Sequence, residues 1–188
     1  MSRGPTLDSA AADHRSEVAA AAEAFAAVPD RAWELPLGDG KWSAAETAQH
    51  LIVVFEKLAN ELRGGPSVRF LVPGWKRVVF RRLFLGRMLR GDWWPRGIEA
   101  PPEARPVPPF PSRADAPLRL RDAGDVFERA IRDGCAKGRS AVTHPYLGAL
   151  EGPVALRFFA LHVRHHRKQL EHRLARSRAA GSATMEAT

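Results

Sequence analysis

Apolar residues recur every three or four positions through most of this chain and hardly ever in strict alternation, which predicts helices rather than strands. An alanine-rich stretch from about Asp8 to Val28 places Val18, Ala21 and Phe25 at helical spacing and meets Pro29, so a first helix is expected there. Gly38 and Gly40 mark a turn. Ser43 and Glu46 then form a Ser-x-x-Glu capping box, which opens a second helix running to about Arg63. Leu51, Val54, Leu58 and Leu62 give that helix its inward stripe, and Gly64-Gly65-Pro66 ends it. A third long helix is expected from Leu118 to about Lys137, stopped by Gly138, and a fourth from Pro153 to about Arg176.

Two segments between these helices read differently. Beyond Pro73-Gly74, residues 75–94 interleave Trp75, Val78, Val79, Leu83 and Phe84 with Lys76, Arg77, Arg81, Arg82, Arg87 and Arg90, the pattern of a short basic amphipathic helix. Pro95 to Pro117 holds eight of the chain's 15 prolines, too many for regular structure, and predicts a loop packed across the bundle or over its mouth. Thr143-His144-Pro145-Tyr146-Leu147-Gly148 reads as a structured connection. The expected fold is therefore all-α: an up-down four-helix bundle with a long crossing connection and one extra short basic helix. One domain over residues 1–178 and a disordered tail over 179–188 complete the organisation.

The last helix departs from the pattern that defines it. Its inner stripe runs Ala155, Phe158, Phe159, His162, His165 or His166, Gln169 and Leu170, so histidines stand where a bundle normally buries hydrocarbon. Burying an imidazole without a partner costs about 1–3 kcal/mol. One explanation is a metal ion: His162 and His166, four apart, project from one face a turn apart, and His50 on the second helix supplies a third nitrogen. The other is that His162 and His166 lie at the polar margin among Arg164, Arg167 and Lys168 and face water. Spacing alone leaves the two level.

Composition narrows the chemistry. Cys135 is the only cysteine, which excludes internal disulfides, thiolate zinc sites and Cys-x-x-Cys redox pairs. On a helix with no base implied beside it, it reads as packing. A formal charge of +8 suits an acidic partner, yet the arginine and alanine bias pervades the chain instead of marking one stripe, so nucleic acid is not the expected partner. No apolar run spans a bilayer, the longest being Leu51 to Phe55, and nothing resembles a secretion signal, so the cytoplasm is the expected location.

Trp42-Ser43-x-x-Glu46-x-x-x-His50-Leu51, Thr143-His144-Pro145-Tyr146-Leu147-Gly148 and His162-x-x-x-His166-x-x-Gln169-Leu170 together resemble the DinB-like (YfiT-like) superfamily of metal-dependent enzymes, over most of the chain. The resemblance implies a four-helix bundle in which His50, His162 and His166 bind one divalent transition metal, zinc or nickel foremost. It also implies a transferase reaction with a low-molecular-weight thiol co-substrate, or a hydrolase reaction, on a small molecule, and a homodimer. Maleylpyruvate-isomerase relatives carry a further carboxy-terminal domain beyond the fourth helix, so that particular isomerisation is not the expected reaction. Around the triad, Glu46 is assigned to the helix cap, and His165, about 100° round the helix from His166, to a supporting or solvent-facing place. Gln169 reaches either the site or a neighbouring helix, and His144 organises its turn. His14 and His172 read as peripheral. Trp33, Trp42 and Trp75 are expected to pack in the bundle, while Trp93-Trp94 fit a lid, a dimer contact or an anion-binding edge. Two other functions remain open: a metal-binding or interaction bundle without turnover, which predicts no accessible cleft, and a basic surface that binds membrane or nucleic acid through residues 75–96.

Overall fold

The computed structural model describes residues 5–38, 40–91, 93–95 and 97–186, with side chains described as far as residue 176. Four long helices dominate: α1 (Leu7–Ala26), α2 (Ala44–Leu62), α5 (Ala116–Ala136) and α6 (Gly152–Glu186). Between α2 and α5 lies the basic segment, in which α3 (Gly74–Phe80) passes through a wider π-type turn (Arg81–Leu85) into α4 (Gly86–Arg90). The expected four-helix bundle with its long crossing connection is what forms. The expected tail at 179–188 overlaps the end of α6, and residues 187–188 lie outside the described part.

The helix starts follow local chemistry. Thr6 accepts the Ser9 N–H at the head of α1, and the capping box at α2 is complete: Ser43 Oγ accepts the Glu46 N–H at 3.1 Å while the Glu46 carboxylate accepts the Ser43 N–H at 2.7 Å. The structured connection before α6 turns out to be an antiparallel hairpin, β1 (Ala141–His144) and β2 (Gly148–Glu151), pairing Ala141 with Glu151 and His144 with Gly148. Periodicity could not reveal strands of four residues each, because alternation needs a longer run to register. Gly152, at φ +36°, turns β2 directly into α6, and a Cβ there would sit 3.0 Å from Cys135 Sγ.

Packing order sets up everything that follows. Helix α1 packs extensively against α6 and α5, and α2 against α5, whereas α2 and α6 barely touch. The apolar centre is built from Phe25, Leu51, Ile52, Phe55, Leu120, Phe127, Ile131, Leu156 and Phe158. Helices α2 and α6 run antiparallel across their gap. Glu61, near the end of α2, accepts both N–H and Oγ–H of Thr143 in the hairpin that leads into α6, while Trp42, ahead of α2, stacks on His166, well along α6.

Charge pairs fix how α6 is turned about its axis. Glu17 on α1 is buried and receives Arg164 at 2.6 Å and Arg167 at 3.4 Å. Those arginines therefore face α1, and the polar margin proposed as the reason for His162 and His166 belongs to a different side of the helix. Arg157 pairs with Asp13 on the same face.

Two expectations are corrected. His14 is not peripheral: it is 1% exposed, edge-on to Phe55 and Phe127, and its Nε2 has no hydrogen-bond partner. It follows Ala10 and Ala11 on the buried face of α1, and only its polarity suggested a surface place. Trp75 does not pack in the bundle but is 66% exposed, because the basic segment turns Phe84, Leu85 and Met88 inward and leaves Trp75, Val78 and Leu83 outside.

Two consequences are measurable by chemical denaturation. Glu17→Ala leaves Arg164 unpaired against α1 and Arg167 with Glu171 alone, and is expected to cost about 3 kcal/mol; a loss below the experimental error would contradict the role given to this ion cluster. Burial, helped by the neighbouring Arg15 charge, lowers the His14 pKa from 6.5 to about 4. Between those values the unfolded chain binds a proton that the folded chain refuses, so stability is complete above pH 6.5 and declines as pH falls toward 4. His14→Leu should remove up to about 1.4 kcal/mol per pH unit of that slope and raise stability at pH 7 by about 1–2 kcal/mol.

Candidate metal centre

The gap between α2 and α6 is a cleft of about 1040 Å³, and its wall carries His50, His162 and His166. Position on each helix explains the convergence. The completed capping box fixes where α2 begins, and His50 comes one turn after Glu46, on the side facing α6. The Glu17 cluster turns α6 so that His162 and His166 face back.

The ring nitrogens meet. His162 Nε2 lies 3.0 Å from His166 Nε2 and 3.5 Å from His50 Nε2, and one ligand atom from each of the three falls within 4.8 Å of the others. Ligand bonds of about 2.1 Å at angles of about 90–110° place neighbouring nitrogens about 3.0–3.4 Å apart, so the spacing suits a single ion. The tautomer of His50 suits it too: its Nδ1–H donates to the Ala104 carbonyl at 2.7 Å, which leaves the Nε2 lone pair directed at the other two rings. The donor set is three neutral nitrogens with no thiolate or carboxylate, a borderline set for divalent transition metals.

Electrostatics keeps the rings uncharged. Burial lowers the His50 pKa, with the Ala104 hydrogen bond acting in the opposite direction. His162 and His166 are held well below the usual imidazole value, first by the protein packed round them and then by repulsion from neighbouring histidines; a hydrogen bond with Gln169 partly offsets this at His166. Three imidazoles this close could not all be charged, and uncharged imidazole is the form that binds metal.

The remaining candidates sit around this point. His165 is outside the cluster: its Nε2 accepts from Gln169 Nε2 at 2.8 Å, and its ring stacks on Trp94 at 5.1 Å. Burial and then the Arg173 charge lower its pKa to about 4. Gln169 thus serves His165 and His166 together and lines the cleft. Glu46 lines the cleft with its carboxylate engaged at the cap. His144 accepts the N–H groups of Tyr146 and Leu147 at 3.2 Å each through Nδ1, so its proton resides on Nε2. It also borders the cleft, and burial lowers its pKa to about 3.

Several contributors escaped the sequence reading. Trp94 stacks on His162 at 5.6 Å and 15°, and Trp42 lies over His166 at 6.3 Å and 19° while tilting onto His50 at 4.9 Å. Two indoles therefore flank the triad, one from each side. The proline-rich connection does more than cover the mouth: it delivers the Ala104 carbonyl. Gln49 pins it to α2 by donating to Val107 and Pro109 carbonyls and accepting the Val107 N–H, and Trp33 Nε1 donates to the Pro111 carbonyl. A backbone acceptor 54 residues from the histidine it orients has no signature in side-chain pattern.

Comparison with known proteins bears on the fold and the family. No curated protein matches the chain. Among solved structures, YfiT from Bacillus subtilis, described as a probable metal-dependent hydrolase with an unusual four-helix bundle topology, is similar with a TM-score of 0.57 at 12% identity, covering 91% of this chain and 87% of that one. At that identity the likeness is one of fold. The family model of the DinB superfamily matches residues 13–170, a span that takes in all four long helices' bundle-forming parts and the three converging histidines, and the chain belongs to the DinB superfamily.

Proposed function

We propose that the protein binds one divalent transition metal through the Nε2 atoms of His50, His162 and His166 and acts on a small molecule in the cleft, as a hydrolase or as a transferase using a thiol co-substrate. The observation that carries this reading is the convergence of three neutral imidazole nitrogens, at 3.0 and 3.5 Å, on the wall of an open cleft. Three protein ligands leave coordination positions for substrate or water, unlike a closed structural site. A divalent ion so held supplies Lewis acidity toward a carbonyl or phosphoryl group and a nucleophile usable near neutral pH.

The chain's own residues prepare the site. The Ala104 carbonyl fixes the His50 ring, Gln169 steadies His166, and the indoles of Trp42 and Trp94 shield the imidazoles from bulk water. His144 offers a neutral Nε2–H beside the cleft. A thiol has to arrive as co-substrate, because Cys135 does not line the cleft. The description of YfiT as a probable metal-dependent hydrolase favours hydrolysis of the two reactions.

The accessible cleft argues against a metal-holding bundle without turnover. The basic segment offers less to a surface-binding reading, since Arg81 is spent on the Ala149 carbonyl and Arg77 lies over Phe70. No described helix is long and apolar enough to cross a membrane.

Elemental analysis under zinc, nickel, iron and manganese supplementation is expected to find about one ion per chain. His50→Ala, His162→Ala and His166→Ala should each weaken retention by more than about a hundredfold, beyond what loss of an outer hydrogen-bond partner causes, while His165→Ala keeps the ion. Metal-loaded protein should hydrolyse an activated ester or conjugate a thiol to an activated electrophile, and His50→Ala should do neither. Equal metal content in wild type and all three variants would sink the reading.

A further inference from the structure

Beyond the histidines, the cleft is unevenly charged. Lys41, Lys57, Arg105 and Arg173 line it against Glu46 and Glu99. Both acids are occupied, Glu46 by the α2 cap and Glu99 by Arg105 at 2.8 Å. Arg173 has no acidic partner and no hydrogen bond among the described residues, although the three arginines that precede it on α6 are all paired: Arg157 with Asp13, Arg164 with Glu17, and Arg167 with Glu17 and Glu171. A half-buried guanidinium left without a counter-charge is costly, since it forgoes part of its hydration and gains no ion pair. Burial accordingly works against its charged form.

Its place on the helix gives the exception meaning. His162, His166, Gln169 and Arg173 fall at offsets of 0, 4, 7 and 11 residues, one face of an α-helix, and all four line the cleft. Arg173 lies seven residues beyond His166, about 10 Å of helix rise. It is also the first cation of α6 on the cleft side instead of the α1 side.

We propose that Arg173 is a substrate-recognition residue: its guanidinium binds a carboxylate or phosphate group of a small anionic substrate whose reacting end lies at the histidine triad about 10 Å away along α6. The position of the reacting end rests on the metal-centre reading above; the anion site does not. A planar fork of N–H donors matches either oxyanion in two parallel hydrogen bonds, and Lys41 on the same wall of the cleft adds charge without fixing orientation. The triad and Arg173 together define a molecule with a polarisable carbonyl or phosphoryl group at one end and a fixed negative charge at the other.

Isothermal titration of the metal-loaded full-length protein with succinate, inorganic phosphate and the uncharged amide succinamide tests this, beside Arg173→Gln, Arg173→Lys and His50→Ala. Succinate or phosphate is expected to bind wild type while succinamide does not, and the better anion separates a carboxylate substrate from a phosphorylated one. Arg173→Gln should weaken that binding by at least about tenfold, with Arg173→Lys in between, as loss of bidentate geometry requires, with metal content unchanged and the melting temperature no lower. In His50→Ala, the Arg173-dependent binding should persist although the metal is lost. Equal anion affinity in wild type and Arg173→Gln, or no anion binding in the low millimolar range, overturns the proposal whatever the metal content proves to be.

Discussion

Helices α2 and α6 are neighbours that hardly touch, and the imidazoles of His50, His162 and His166 are what lies between them. Most bundles close such a seam with apolar side chains. Here Trp42, Trp94 and Phe158 provide apolar walls, but the meeting point is three nitrogen lone pairs. Without a cation those lone pairs repel one another, and at most a shared proton relieves one contact. With a cation the same geometry becomes a bond between helices that the rest of the bundle leaves unsealed. The cleft and the ligand set are two aspects of one omission in the packing.

Support for that arrangement comes from outside the site. Glu17, on α1, gathers Arg164 and Arg167 and so sets the rotation of α6, while the Ser43–Glu46 box sets the start of α2. The proline-rich connection, held by Gln49 and Trp33, brings the Ala104 carbonyl to His50. One device acts on α6 and two act on α2, each by a different interaction. Charge orients α6, capping positions α2, and a backbone hydrogen bond selects the tautomer of His50.

What could be read from the amino-acid order follows from how local each cause is. The long helices were legible because their apolar spacing and stop signals lie within the segment they describe, and the histidines because they broke such a spacing on α6. The choice between a converging triad and a solvated polar margin was not, since it hinges on Glu17, some 147 residues from Arg164. The β1–β2 hairpin was too short to alternate, the burial of His14 contradicted its polarity, and the roles of Trp94 and Ala104 arise from a connection with no periodicity. Arg173 passed unnoticed in a chain rich in arginine; only its half-buried place on the cleft face, without an acid beside it, sets it apart.

X-ray absorption spectroscopy of the zinc-loaded protein addresses the central claim most directly. The account predicts about three imidazole nitrogens in the first coordination shell at about 2.0–2.1 Å, with one fewer or no bound zinc in His50→Ala. A first shell of oxygen alone, or an imidazole count unchanged by that substitution, would contradict it.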